Sequence, residues 1–172
     1  HEFIQIQAVE NTNADGLLIN PVIGPKKKGD FLSKIVLESY EKLIKEKIYP
    51  ENKVMLAGFY SYSRFAGPRE AVFTAICRKN MGCSHFIIGR DHTGVGSFYS
   101  AEYNEDIFNK IGDLGMKIIF VDTVVYNSKD DKYEINKIKN RHLRTLSGSK
   151  LRDLIIGSEK IPKWFVRKEV QD

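Results

Sequence analysis

Ser84-His85-Phe86-Ile87-Ile88-Gly89-Arg90-Asp91-His92-Thr93-Gly94-Val95-Gly96 decides the fold. Its first half is a short apolar run that reads as a buried strand ending in glycine. Gly89, Gly94 and Gly96 then fall close together, so the backbone can turn sharply and approach a ligand. Between them lie a fixed cation, a carboxylate and an imidazole. A strand that ends in such a turn suits phosphate: the arginine offers a donor fork and the turn offers backbone N–H groups. Neither GxxxxGK[ST] nor a GxGxxG that opens a helix is present. Spacing alone therefore leaves an anion loop and an ordinary tight turn both open.

Working outward, further apolar runs at residues 16–23 and 53–59 read as strands, the first limited by Pro21. Residues 116–126 form a longer, β-branched run that reads as one last strand. Helical spacing lies between them. Residues 1–10 read as a helix. Asp30 is expected to cap a second helix reaching about residue 47, with Leu32, Val36, Tyr40 and Leu43 on one face. Gly67-Pro68 opens a third, with proline at the first helical position and Val72, Ala75, Ile76 and Lys79 following at helical spacing. Residues 104–114 form a fourth. Residues 127–145 are polar and basic and read as irregular. Ser147 starts a short helix to residue 156 with Gly157 beyond it, and residues 162–170 hold a last helical turn or two. Strands alternating with helices predict an α/β domain with a mostly parallel sheet, which binds ligands at the carboxyl ends of its strands. The expected division is a catalytic domain over 1–146 and a small C-terminal helical segment over 147–172.

Composition narrows the function classes. The chain has 172 residues, 42% of them hydrophobic, enough for one sizeable core and against disorder. A net charge of +5 suits an anionic ligand. No basic block with interleaved aromatics marks single-strand binding, so no nucleic-acid partner is expected. No apolar stretch is long enough to span a membrane, and no signal-peptide pattern is visible. Cys77 and Cys83 stand six apart with no second metal-spacing motif, so no zinc site and no protein-bound metal is expected, and the cytoplasm is the default compartment. Cys77 falls on a helical apolar face and reads as a small core residue.

The motifs carry a resemblance. GRDHTGVG resembles the GRDHAGVG loop of ATP sulfurylases, the sulfate adenylyltransferases. The neighbours agree in order along the chain. His1-Glu2-Phe3-Ile4-Gln5 resembles the end of the family's QTRNPxHxxHE segment, and Lys28-Gly29-Asp30 its KxGD turn. Phe65-Ala66-Gly67-Pro68-Arg69-Glu70-Ala71 resembles YAGPREA, and residues 78–86 resemble RKNYGCTHF. Ser147-Gly148-Ser149 with Arg152 resembles ISGTxxR, and residues 161–165 resemble IPxWF. The match covers nearly the whole chain and implies a Rossmann-like fold of the HIGH-type nucleotidyltransferase class.

The resemblance assigns roles residue by residue. Gly89, Arg90, Asp91 and His92 would hold ATP: Arg90 and His92 on phosphate oxygens as catalytic groups, Asp91 on a ribose hydroxyl. A protonated His92 ring beside phosphate would have a raised pKa, and Asp91 could hold that ring. Thr93, where the family has alanine, would offer its backbone N–H to sulfate. His1 matches the second histidine of HxxH and would stabilise charge on the phosphates as a third catalytic residue. Val124 matches the position beside adenine. Arg69, odd at the positive end of a helix, would face an anion. Ser147, Gly148, Ser149 and Arg152 would contact the triphosphate.

Plainer readings stand beside these. Arg90 and His92 could be surface loop residues, Arg69 and Glu70 an exposed pair, and Ser147 a simple helix cap. Val124, Trp164 and Phe165 could be packing residues, and Lys26-Lys27-Lys28 a solvated turn. His85 reads as a satisfied core histidine, and His142 has no assigned role.

The implied reaction joins ATP and sulfate into adenosine 5′-phosphosulfate and pyrophosphate, with Mg2+ accompanying ATP. Family members carry the QxRN segment and an N-terminal domain ahead of the position of His1. The chain is thus expected to begin inside the active site and to be weakly active or inactive alone. Two rivals remain: a nucleotidyltransferase with another acceptor, and a non-catalytic nucleotide-binding or assembly module. Homo-oligomer formation stays open.

Overall fold

The computed structural model describes residues 1–89, 92, 98–100, 102–135 and 141–171. They form a mixed α/β structure. After α1 (Glu2–Thr12) come β1 (Leu17–Ile19), α2 (Ser33–Lys45), β2 (Val54–Leu56), α3 (Pro68–Asn80), β3 (His85–Gly89), α4 (Glu102–Ile111) and β4 (Lys117–Val121). β1 pairs in parallel with β2, Leu17 opposite Val54, and a bridge from Val22 to Phe59 continues the ladder past Pro21. β3 pairs in parallel with β4 in the register His85 to Lys117 through Gly89 to Val121. Each pair is joined through a helix, as parallel pairing requires.

Two cores follow from these layers. Ala71 and Ala75 of α3 are fully buried and let the helix lie close to Ile88 of β3, with Phe108 and Met116 closing the cluster. Ile19, Leu43 and Tyr49 form the second core between β1 and α2, and the Tyr49 hydroxyl donates to Gln5 Oε1 at 2.6 Å, tying in α1. Burial pushes the Tyr49 hydroxyl well above the usual tyrosine range.

The C-terminal third departs from the sequence expectation. The run 116–126 is two strands: β4 ends at Val121, and β5 (Val124–Asn127) begins an antiparallel sheet with β6 (Lys132–Ile135) and β7 (Leu143–Arg144) in the order β6-β5-β7. The region 127–145, expected to be irregular, therefore contributes two strands. α5 (Gly148–Ile156) and α6 (Lys168–Gln171) follow. The chain then packs back on itself. Trp164 stacks on Tyr126 with centroids 5.3 Å apart, the Tyr133 hydroxyl donates to the Trp164 carbonyl, and Arg167 pairs with Glu2.

Three local expectations are corrected. Asp30 does not cap α2. Its N–H closes a turn onto Lys27 O at 3.1 Å, with Gly29 at φ +87°, and Leu32 occupies the N-cap with no side-chain cap and is 68% exposed. On α3, Ile76 is exposed while Glu70, Thr74 and Arg78 are buried, so the inward face is displaced from the predicted stripe. His85 is half-buried at the start of β3, with Nδ1 2.9 Å from Ser84 Oγ, rather than a core histidine. Cys77 is half-buried and free.

Candidate functional site

The carboxyl end of β3 is where the site begins. Among the described residues, an added Cβ at Gly89 would meet no atom within 4 Å. His92 N–H returns to Gly89 O at 3.1 Å, which closes a turn. Arg90, Asp91 and Thr93 lie outside the described residues.

The His92 ring sits edge-on to Phe86, centroids 5.6 Å apart at 88°, and its Nε2 is 3.3 Å from Thr74 Oγ1. Burial lowers the imidazole pKa below 6.5; the Glu70 carboxylate opposes this and the Arg78 guanidinium adds to it. Burial thus favours the neutral ring. Among the described residues, Thr74 and Phe86 lie against the ring; Asp91, expected to hold it, lies outside them.

α3 supplies what motif reading missed. Glu70, Thr74 and Arg78 recur every four residues, so they form one stripe on the helix, and all three are buried. Gly67, the N-cap, has φ +54° and its Cα faces the Tyr99 ring, where an added Cβ would come within 2.5 Å; both features need glycine. Glu70, at 4% exposure, accepts from Arg64 N at 2.9 and 3.1 Å and from Ala66 N at 3.1 Å. It is thus no exposed pair partner but the post that holds the preceding loop. Thr74 Oγ1 lies 2.8 Å from Glu70 O and 2.9 Å from Ala71 O. Arg78 donates from Nη2 to Asn20 O at 2.9 Å and lies 4.0 Å above the Phe59 ring. Burial lowers its pKa. Glu70 and Arg78 fall within two of the resembled motifs, but no pattern marks them and Thr74 as one buried stripe, since their burial depends on what the fold brings to them.

The remaining candidates divide. His1 is exposed at the N-cap of α1, and its carbonyl accepts from Gln5 N at 3.1 Å. Val124 is half-buried and opens β5 opposite Ile135. Ser147 caps α5, its hydroxyl accepting from Lys150 N at 3.1 Å, so the capping reading of that serine holds. Arg152 donates to Ser149 Oγ at 3.2 Å. His1, Gly89, His92, Val124, Ser147 and Gly148 border, with the α3 stripe, one extended open concavity that also runs past α1, β1 and α2. Arg69 is exposed and, like Ser149 and Arg152, does not line it. Among the described residues no group of three His, Cys, Asp or Glu side chains could hold a metal ion, and no helix is long and apolar enough to cross a membrane.

The chain has counterparts among known proteins. The fold is similar to that of a solved structure, "Hexameric APS kinase from Thiobacillus denitrificans", with TM-score 0.69 and 22% identity, over 98% of this chain and 31% of that one. A sulfate adenylyltransferase of Thermococcus onnurineus is 43% identical over 176 residues, all of this chain and 45% of that protein. One from Pyrococcus abyssi is 42% identical with the same coverage. A "Probable bifunctional SAT/APS kinase 2" of Sorangium cellulosum is 40% identical over 99% of this chain and 30% of its own length. The chain thus spans less than half the length of these relatives. The ATP-sulfurylase family model matches residues 1–172, end to end. The chain belongs to the ATP-sulfurylase family.

Proposed function

We propose that this chain is the nucleotide-handling part of a sulfate adenylyltransferase, which converts ATP and sulfate to adenosine 5′-phosphosulfate and pyrophosphate. The observation that carries the reading is the family match over the whole chain, with the glycine-rich sequence following β3. In this reading a sulfate oxygen attacks the α-phosphorus in line, the bond to the bridging oxygen breaks, and pyrophosphate leaves with that oxygen. Sulfate is already an anion, so no general base is needed. The protein's task is positioning and neutralisation of charge.

Arg90 and His92 take phosphate oxygens, Asp91 a ribose hydroxyl, and the Thr93 N–H takes sulfate. Val124 flanks the base. Ser147, Gly148, Ser149 and Arg152 take the triphosphate. Arg69, exposed beyond the concavity, would reach only an anion that extends out of it. His1 stands where charge on the phosphates develops. Mg2+ would travel with ATP, held by phosphate oxygens and water, and would supply further charge neutralisation. Catalytic work is assigned to residues 1–146, and 147–172 flanks the site. The proposed setting is the cytoplasm, the default for a chain with two free thiols.

The test is sulfate-dependent pyrophosphate release from ATP. It compares the 172-residue chain with a version extended ahead of His1 by a family member's QTRNPxH segment and preceding domain. Donors aimed at the reacting phosphate typically give ~10²–10³ in rate each, so the extended version should be faster by orders of magnitude. An extended, folded version that releases no pyrophosphate with sulfate refutes the reading.

A further inference from the structure

We propose that Thr74 is a positioning residue of this site: its buried hydroxyl accepts a hydrogen bond from Nε2–H of His92 and so fixes the tautomer and direction of the ring. The inference rests on the reading that His92 belongs to the nucleotide loop, but its test does not.

Hydroxyl bookkeeping leads to it. A threonine hydroxyl has one proton and two lone pairs. Thr74 Oγ1 lies 2.8 Å from Glu70 O and 2.9 Å from Ala71 O. Both are carbonyls and can only accept, so the single Thr74 proton is committed to the helix backbone. What remains toward the ring is a lone pair. His92 Nε2, 3.3 Å away, is at the long end of hydrogen-bond distance, and against a lone pair it must carry the proton. Thr74 itself has nowhere else to turn: it is 6% exposed on α3, and its χ1 is restricted by β-branching. Phe86 presses on the ring from β3 at 88°, which opposes rotation.

Among the described residues, the charged groups that bear on the ring are Glu70 and Arg78, both from α3, and β3 contributes the Phe86 ring. In the neutral form Nδ1 is then the unprotonated nitrogen. Any proton taken up when an anion binds must go there. Thr74 therefore decides which ring atom His92 can turn to a phosphate, without touching the phosphate itself.

The experiment is ¹⁵N–¹H spectroscopy of the ring nitrogens in the 172-residue chain at a pH where the imidazole is neutral. The four histidines are assigned by single substitution. The wild type should show His92 as the Nε2–H tautomer with a slowly exchanging ring proton. Thr74→Ser should keep both features. Thr74→Val, which has nearly the same shape and no acceptor, should exchange that proton roughly 2–12-fold faster, the equivalent of a net hydrogen bond of about 0.5–1.5 kcal/mol. A wild-type ring protonated at Nδ1, or a folded Thr74→Val protein with unchanged exchange, overturns the proposal. If Thr74→Val does not fold, the wild-type tautomer and the serine variant decide. No nucleotide is present, so failure here is separate from failure of the proposed activity.

Discussion

Replacing Glu70 by alanine should loosen the loop that leads into α3. The carboxylate holds three contacts, two to Arg64 N at 2.9 and 3.1 Å and one to Ala66 N at 3.1 Å. Without it two backbone donors lose their acceptor. A buried donor left unsatisfied costs about 1–3 kcal/mol. Arg64 is exposed and Ala66 half-buried, so water can repair the first more easily than the second. A further few tenths come from losing an anion at the start of α3. The expected loss is about 2–3 kcal/mol, which for a chain of this size lowers the thermal midpoint by roughly 4–12 °C. Glu70→Gln keeps an acceptor oxygen and should lose only about 1 kcal/mol. Urea titration of both variants measures this. An alanine variant within about 0.5 kcal/mol of wild type, or a glutamine variant as damaged as the alanine, would refute the assignment of Glu70 as the loop's post.

The His92 pKa is lowered on folding, so the unfolded chain binds more protons between the folded value and 6.5; stability should rise with pH through that window and level off above it. His92→Gln should flatten that part of the profile in urea titrations from pH 5 to 8. Ile88→Ala removes a side chain that is 1% exposed at the centre of the α3–β3 core and should cost about 2–5 kcal/mol by the same assay. Ser147→Ala removes the cap of α5 and should lose about 0.5–2 kcal/mol; a loss of nucleotide affinity with no loss of stability would instead make Ser147 a ligand contact.

The sequence is most readable where a covalent constraint coincides with periodicity. Pro68 after Gly67 announces the start of α3, and Phe86-Ile87-Ile88-Gly89 announces a strand that stops at a turn. Legibility fails where tertiary partners decide. Asp122 and Thr123 break the run 116–126 into two strands, yet neither is a glycine or a proline, and β-branched residues surround them. β6 is half-exposed, and its Lys132-Tyr133-Glu134-Ile135 alternates too briefly to stand out from a polar region. On α3 the inward stripe is Glu70, Thr74 and Arg78, three residue types that are seldom buried. Each is admitted by a partner: the Arg64 and Ala66 N–H groups just ahead of the helix, the His92 ring, and Asn20 O with Phe59. Of the site, the Ser147 cap could be read in advance, whereas the α3 stripe behind His92 required the fold.

Titration calorimetry of the 172-residue chain with adenosine 5′-phosphosulfate tests the central claim most directly. The account predicts saturable binding at one site. It also predicts that Arg90→Ala weakens that binding by roughly 10–150-fold, the equivalent of about 1.5–3 kcal/mol for a charge-assisted contact. A folded wild-type chain with no binding, or equal affinity in wild type and variant, would contradict it.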